Sequence, residues 1–193
     1  MRTFVYFSST ARTSGNFSVD NLMNAGRMDI AMHVIINAFF LSHSLRDDVV
    51  LHLVFYGMPD PPKHIEIRVN EDTKLSKKDV ANLIKKILYK YRPGQKTEVV
   101  PGCFIEKKSF LNVIEEISKQ GKDIFILDKK GENIRSSKIG KNSAFVIGDQ
   151  NGLPQKEMKR LKKISKMVSV GPRVYFASQV VTILNNEMDI RSF

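Results

Sequence analysis

The chain has 193 residues, 42% of them hydrophobic, a single cysteine and a formal net charge of +11. A chain of that size suits one compact domain, residues 1–193, that buries roughly 70% of its unfolded surface and needs no disulfide or metal staple. The lone Cys103 excludes an internal bridge and points to a reducing, cytoplasmic setting, while the charge excess favours polyanions, nucleic acid above all.

In chain order, Phe4 to Phe7 reads as a first strand, with no apolar leader segment after it. Ser8 to Asn24 is polar and reads as a long loop, a kind of segment that often carries function. Ile30, Ala31, Val34, Ile35, Ala38 and Phe39 recur at three- and four-residue spacing and predict a helix from Met28 to Leu45. His33, Asn37, Ser42 and His43 interrupt it, so it cannot span a bilayer. Val49 to Tyr56 is apolar at nearly every position, as a strand buried on both faces would be. Pro59, Pro61 and Pro62 end it, and Ile65, Ile67 and Val69 alternate with charges as in a half-exposed strand.

A lysine-faced helix is expected from Ser76, with Ser76 and Asp79 as a capping box and a buried stripe of Val80, Leu83, Ile84, Ile87, Leu88 and Tyr91. Val99-Val100 and Phe104-Ile105 flank Pro101-Gly102 as a small hairpin. A third helix spans Ser109 to Gln120, with Gly121 after it. Ile124 to Leu127 is a strand and Asp128 to Ser143 a loop region. Two further apolar strands follow, Ala144 to Ile147 and Met167 to Val170. Each runs into a glycine loop, and a last helix begins near Tyr175. Strands alternating with helices argue for an α/β fold with a mostly parallel sheet, whose carboxyl-end loops converge on a ligand cradle. No G-x-G-x-x-G and no P-loop is present, so the cradle is not a dinucleotide or nucleoside-triphosphate site of those types. His33, His43, His52 and His64 show no metal-ligand spacing, and no metal is expected.

Three segments in order carry a family resemblance: Gly26-Arg27-Met28-Asp29 with the helix after it, Tyr56-Gly57-Met58-Pro59-Asp60, and Phe145-Val146-Ile147-Gly148-Asp149 with Ser169-Val170-Gly171-Pro172. The chain resembles the archaeal tRNA pseudouridine-54 N1-methyltransferases of the SPOUT superfamily over nearly its whole length. The resemblance implies a C-terminal trefoil knot, a homodimer, tRNA as partner and S-adenosylmethionine as cofactor. Carried over residue by residue, it implies cofactor contacts from Leu127, Gly148, Ser169, Val170, Gly171, Pro172, Arg173, Val174 and Val180. Gln150 and Val180 depart from the family pattern, which often has His and Cys there.

The resemblance also makes Asp29 the group that accepts or holds the proton of the attacking nitrogen, and Arg27 a ligand for a phosphate or a base carbonyl. From the residues alone, Asp29 reads equally as a cap in the first helical turn, where the helix dipole would weaken it as a base. Two alternatives stay open: N1-methylation of pseudouridine in small-subunit rRNA, and a basic RNA-binding protein without catalysis.

Overall fold

A computed structural model describes residues 1–70, 72–73 and 75–193 of the chain. Eight strands form one sheet: β1 (Arg2–Ser8), β2 (Val49–Phe55), β3 (Lys63–Arg68), β4 (Thr97–Val100), β5 (Cys103–Glu106), β6 (Asp123–Asn133), β7 (Ser143–Ile147) and β8 (Ser165–Ser169). Their spatial order is β4-β5-β3-β2-β1-β7-β6-β8. The four pairings from β2 to β8 are parallel, and the three from β4 to β2 are antiparallel. Among the described residues, five α-helices flank the sheet: α1 (Met28–Phe39), α2 (Val80–Tyr89), α3 (Phe110–Lys119), α4 (Gln155–Leu161) and α5 (Ala177–Ile190).

Side-chain alternation divides the core into two layers. Phe4 and Tyr6 of β1 face the layer of α1, α2 and α5, while Val5 and Phe7 face α3 and α4. All seven residues of β2 are buried, as its continuous apolar run required. The capping serine of α3 is in place, since Ser109 Oγ accepts from the Asn112 amide at 3.3 Å.

The elements depart from the sequence-based expectation in five places. α1 ends at Phe39 rather than Leu45, because Leu41 to Ser44 fold into a turn closed by the Leu41 amide on the Ser44 carbonyl at 2.9 Å. α2 begins at Val80, and Asp79 makes no side-chain cap there; the stretch from Ser76 is a turn in which the Asp79 amide donates to the Ser76 carbonyl. β3 is buried except at Arg68, not half exposed. Its polar side chains are held in pairs: Lys63 on Asp60 at 2.7 Å, His64 on His52 at 2.9 Å and on Glu106 at 3.0 Å. Residues 128–133 continue β6 rather than forming a loop, and α4 occupies a stretch without a visible apolar stripe.

β6 itself changes register as it passes β8. Leu127 and Glu132 both pair with Val168, Asn133 pairs with Ser169, and the Ile134 amide donates to the Ser169 carbonyl at 2.9 Å. The crossing is close: a Cβ on Gly131 would lie 2.5 Å from the Val168 nitrogen. The chain after β6 therefore wraps over the end of β8. Arg191 fastens that wrap to α5 by donating to the carbonyls of Ile134, Arg135 and Ser137.

Candidate active site

The parallel half of the sheet ends its strands along one edge, and a cavity of about 510 Å³ opens there. The middle of β6, from Ile126 to Lys130, and the loops that leave β7 and β8 bound it. Of the nine expected cofactor residues, Leu127, Gly148, Ser169, Val170, Gly171, Arg173, Val174 and Val180 line this cavity; Pro172 does not. Leu153, Met158 and Met167 add apolar wall, and Lys129, Lys130 and Lys162 add charge at the rim. A volume in this range suits a small-molecule ligand held by apolar walls and a few polar groups.

The loops take their shape from local hydrogen bonds. After β7, the Gly152 amide donates to the Asp149 carbonyl at 2.9 Å and closes a tight turn. A Cβ on Gly148 would sit 2.8 Å from the Gly152 carbonyl carbon, so only glycine fits that approach. After β8, Ser169 Oγ donates to the Gly171 carbonyl at 2.9 Å, and the Gly171 amide lies 3.2 Å from the same hydroxyl. The last helix is capped in turn: Gln179 Oε1 accepts from the Phe176 amide at 3.0 Å. Val180 and Leu184 pack into the core, whereas Phe176 stands exposed.

Asp149 is a functional candidate that the sequence reading did not single out. Its Oδ2 accepts from the Ser9 amide at 2.7 Å and the Ser9 hydroxyl at 2.8 Å, and its Oδ1 accepts from the Asn151 amide at 2.8 Å. Asn151 Nδ2 reaches Ser9 Oγ at 2.9 Å. The loop after β1 is thereby tied to the loop after β7.

Arg27 and Asp29 stand at the start of α1. Arg27 is in the left-handed region, at φ 63°, and forms the N-cap position without a side-chain cap. Its guanidinium instead grips the half-buried Asp29 through two bonds of 3.0 Å. That hydrogen bond is the main reason the Asp29 carboxyl is held below its ordinary range; burial opposes the shift and the Arg27 charge adds to it. The charges of this pair and of Asp149 all reach Tyr6, whose buried hydroxyl has no hydrogen-bond partner among the described residues. Burial, reinforced by the charges of Asp149 and Asp29, raises its phenol above the usual value.

Away from this edge, the fold brings together what sequence spacing kept apart. His52, His64 and Glu66 place ligand atoms within 4.8 Å of one another, a grouping that spacing along the sequence does not display. Their donors are already engaged. His52 Nδ1 faces His64 Nε2 at 2.9 Å with the rings 14° from parallel, and Glu66 is paired with Arg68 and Lys96. Cys103 is buried, and burial pushes its thiol up to about 12, which makes it an inert core residue. Among the described residues, no helix is long and apolar enough to cross a membrane.

A family model for SAM-dependent RNA methyltransferases matches residues 1–193. A Vibrio parahaemolyticus protein, named as a candidate pseudouridine methyltransferase, is 32% identical over 200 residues covering all of both chains. The tRNA (pseudouridine(54)-N(1))-methyltransferase of Thermococcus kodakarensis is 34% identical over 201 residues, covering 98% of this chain and 99% of its own. Among solved structures, Archaeoglobus fulgidus Nep1 bound to S-adenosylhomocysteine matches with a TM-score of 0.64 at 16% identity, over 100% of this chain and 99% of that one; the likeness is one of fold.

Proposed function

Because the chain belongs to the family of SAM-dependent RNA methyltransferases, we propose that it transfers a methyl group to N1 of pseudouridine at position 54, in the TΨC loop of tRNA. The observation that carries this reading is the cavity where the middle of β6, with Leu127, meets the loops after β7 and β8, with Gly148, Ser169 to Gly171, Arg173 and Val174. The Thermococcus relative bears that activity in its name, at 34% identity over nearly its full length.

The residues present suit S-adenosylmethionine. Leu127, Leu153, Met158 and Val180 offer an apolar slot for an adenine ring, and the loop backbones offer amides and carbonyls for its edge. The lysines at the rim suit the methionine carboxylate. When bound, the cofactor supplies an electrophilic methyl on a sulfonium, so the displacement needs no metal.

What the chain contributes is alignment, which can lower a barrier by roughly 7–11 kcal/mol. Arg27 orients a carbonyl of the base. Asp29, ionised throughout the neutral range, accepts the N1–H as a charge-assisted hydrogen bond and stabilises the positive charge that builds as the nitrogen attacks. Its low basicity favours this holding role over abstraction ahead of the attack, and the proton passes by way of the Asp29 carboxylate to solvent as N1 gains its methyl group, which leaves the product ring neutral. The wall of Asp149 and Ser9 keeps the acceptor side at a fixed distance from the donor side.

The finer architecture follows the same reading. The register jump of β6 over β8 supports a trefoil knot through which the C-terminal segment is threaded. Exposed Val174, Phe176 and Ile190 support a homodimer that covers them. A tRNA substrate implies the cytoplasm. Since the Vibrio relative's name gives no position, a pseudouridine elsewhere, such as small-subunit rRNA, is the second reading.

The test is incubation with S-adenosylmethionine and pseudouridylated tRNA, followed by digestion to nucleosides. 1-Methylpseudouridine that disappears when position 54 is uridine supports the proposal. Product from an rRNA hairpin alone moves the target, and no product from any RNA overturns the reading.

A further inference from the structure

A second concavity, of about 400 Å³, opens beside the large cavity. We propose that it is the acceptor-nucleoside site, taking a pyrimidine base, with the neighbouring phosphate against Arg12. This inference rests on the methyltransferase reading and adds to it where the acceptor lodges.

Position is the first argument. The concavity lies among the loop after β1, with Ser9 and Arg12, the loop after β2, with Tyr56 to Met58, and the turn that carries Asn24 ahead of α1. β1 lies between β2 and β7 in the sheet, so both openings share one edge. Ser9 borders the second opening, Asp149 borders the first, and the two are hydrogen-bonded at 2.7 Å. The two openings thus adjoin through this hydrogen-bonded pair. In-line transfer requires reacting atoms about 3–3.5 Å apart, so the acceptor must occupy a concavity that adjoins the donor cavity.

Chemistry is the second. Arg12 is exposed, and its guanidinium donates only to the Asn16 carbonyl, at 3.0 Å, among the described residues. It offers a cation for a phosphate. The Asn24 side chain makes no hydrogen bond among the described residues, and an amide presents both a donor and an acceptor to an imide edge. Met58 stands 72% exposed at the rim, a polarisable apolar surface suited to the face of a base. Arg27 follows directly on Gly26, which lines the same opening.

Rigidity is the third. A Cβ on Gly57 would lie 2.2 Å from the Thr10 carbonyl oxygen, so the two loops meet backbone to backbone. Thr13 Oγ1 donates to the Gly57 carbonyl at 2.8 Å, and the Gly57 amide donates to the Ala11 carbonyl at 3.0 Å. A floor fixed this way binds without the cost of ordering loops.

The test uses the full chain saturated with S-adenosylhomocysteine and an RNA hairpin carrying 4-thiouridine at the target position. After irradiation, the cross-linked peptide is mapped by mass spectrometry. Cross-links within residues 9–12, 24–26 or 56–58 are expected. In parallel, Arg12→Ala should raise the KM for the hairpin by about 10-fold, lower kcat by less, reduce the salt dependence of binding by about one phosphate contact and leave calorimetric cofactor affinity within about twofold. Cross-links confined to other segments, with KM unchanged in Arg12→Ala and Met58→Ala, overturn the site while the wild-type enzyme still methylates. A wild-type chain that neither binds cofactor nor methylates any RNA overturns the enzymatic reading, and this site with it.

Discussion

Arg27 holds Asp29 by donating from Nε and Nη2 to its two oxygens, each at 3.0 Å, across one intervening residue. The left-handed backbone at Arg27 turns the guanidinium back toward the carboxylate, so the two act as one preformed unit. Asp29→Asn keeps the shape and removes the charge. It should lower kcat by about 100-fold or more while leaving S-adenosylhomocysteine affinity within about twofold. Arg27→Lys should not restore an Arg27→Ala loss, because an ammonium cannot make the paired contact. Steady-state kinetics with calorimetry checks both.

Asp149 joins the two openings, and its removal should be felt in each. Asp149→Ala leaves the Ser9 amide, the Ser9 hydroxyl and the Asn151 amide without their acceptor. A charged acceptor is worth roughly 1.5–3 kcal/mol per bond to a fixed donor, partly recovered by water here. We expect cofactor affinity to fall about 10-fold and the KM for RNA to rise together with it. A change in only one of the two would show that the wall does not couple them.

Gly148 is restricted by its neighbour rather than by its own backbone angle. Gly148→Ala must displace the turn at Gly152. The expected result is at least about a 10-fold weaker calorimetric Kd for S-adenosylhomocysteine, with a thermal midpoint lower by a few degrees.

Arg2 is buried and joins distant parts of the chain. It donates to the Asn185 carbonyl at 3.1 Å, to Asp189 at 2.6 Å and to the Phe193 carbonyl at 2.7 Å. Its Nε lies 2.9 Å from Asp48 but lacks the alignment of a hydrogen bond, so that contact is an ion pair alone. Arg2→Ala should destabilise the protein by about 2–4 kcal/mol, read from the urea midpoint at unchanged slope.

Acid should weaken the fold through the buried relay of His52, His64 and Glu106. Burial, helped by the neighbouring His64, depresses His52 from 6.5 to about 3, so it stays neutral while an unfolded chain would take up a proton. Burial alone would raise Glu106, but the hydrogen bonds from His64 and Lys108 outweigh it and hold the carboxyl at about 2. Both folded-state values lie below their unfolded ones. Stability is therefore complete above about pH 6.5, declines first through His52 and then, below about pH 4.5, through Glu106 as well. Denaturant midpoints at pH 7.5, 5.5 and 4 should fall in that order.

The apolar strands and the glycine loops were legible because they depend on local pattern. Phe4 to Phe7, Val49 to Phe55 and Ala144 to Ile147 each declare themselves by composition. The burial of His64 and Glu66 was not legible, since their partners His52 and Glu106 lie on other strands and Lys96 just ahead of one. α4 was missed because only Leu161 of its seven residues is fully buried, leaving no periodic stripe. The end of α1 was misjudged because apolar Phe40 and Leu41 continue the helical pattern, although Phe40 is extended and bridges to Leu45. The cofactor and its individual contact residues in the large cavity came from family likeness; the wall between Ser9 and Asp149 joins residues 140 positions apart and no motif encodes it.

The central position of β1 also bears on how the molecule is made. Its Thr3 to Tyr6 register with Ala144 to Ile147, a partner synthesised long after it. While a ribosome is still elongating, that strand has one flank open and its apolar side chains unshielded, a state that invites aggregation and chaperone capture. Native maturation is thus deferred until Ser143 to Ile147 have emerged, and a nascent chain stalled before Ser143 should be protease-sensitive along its entire first strand.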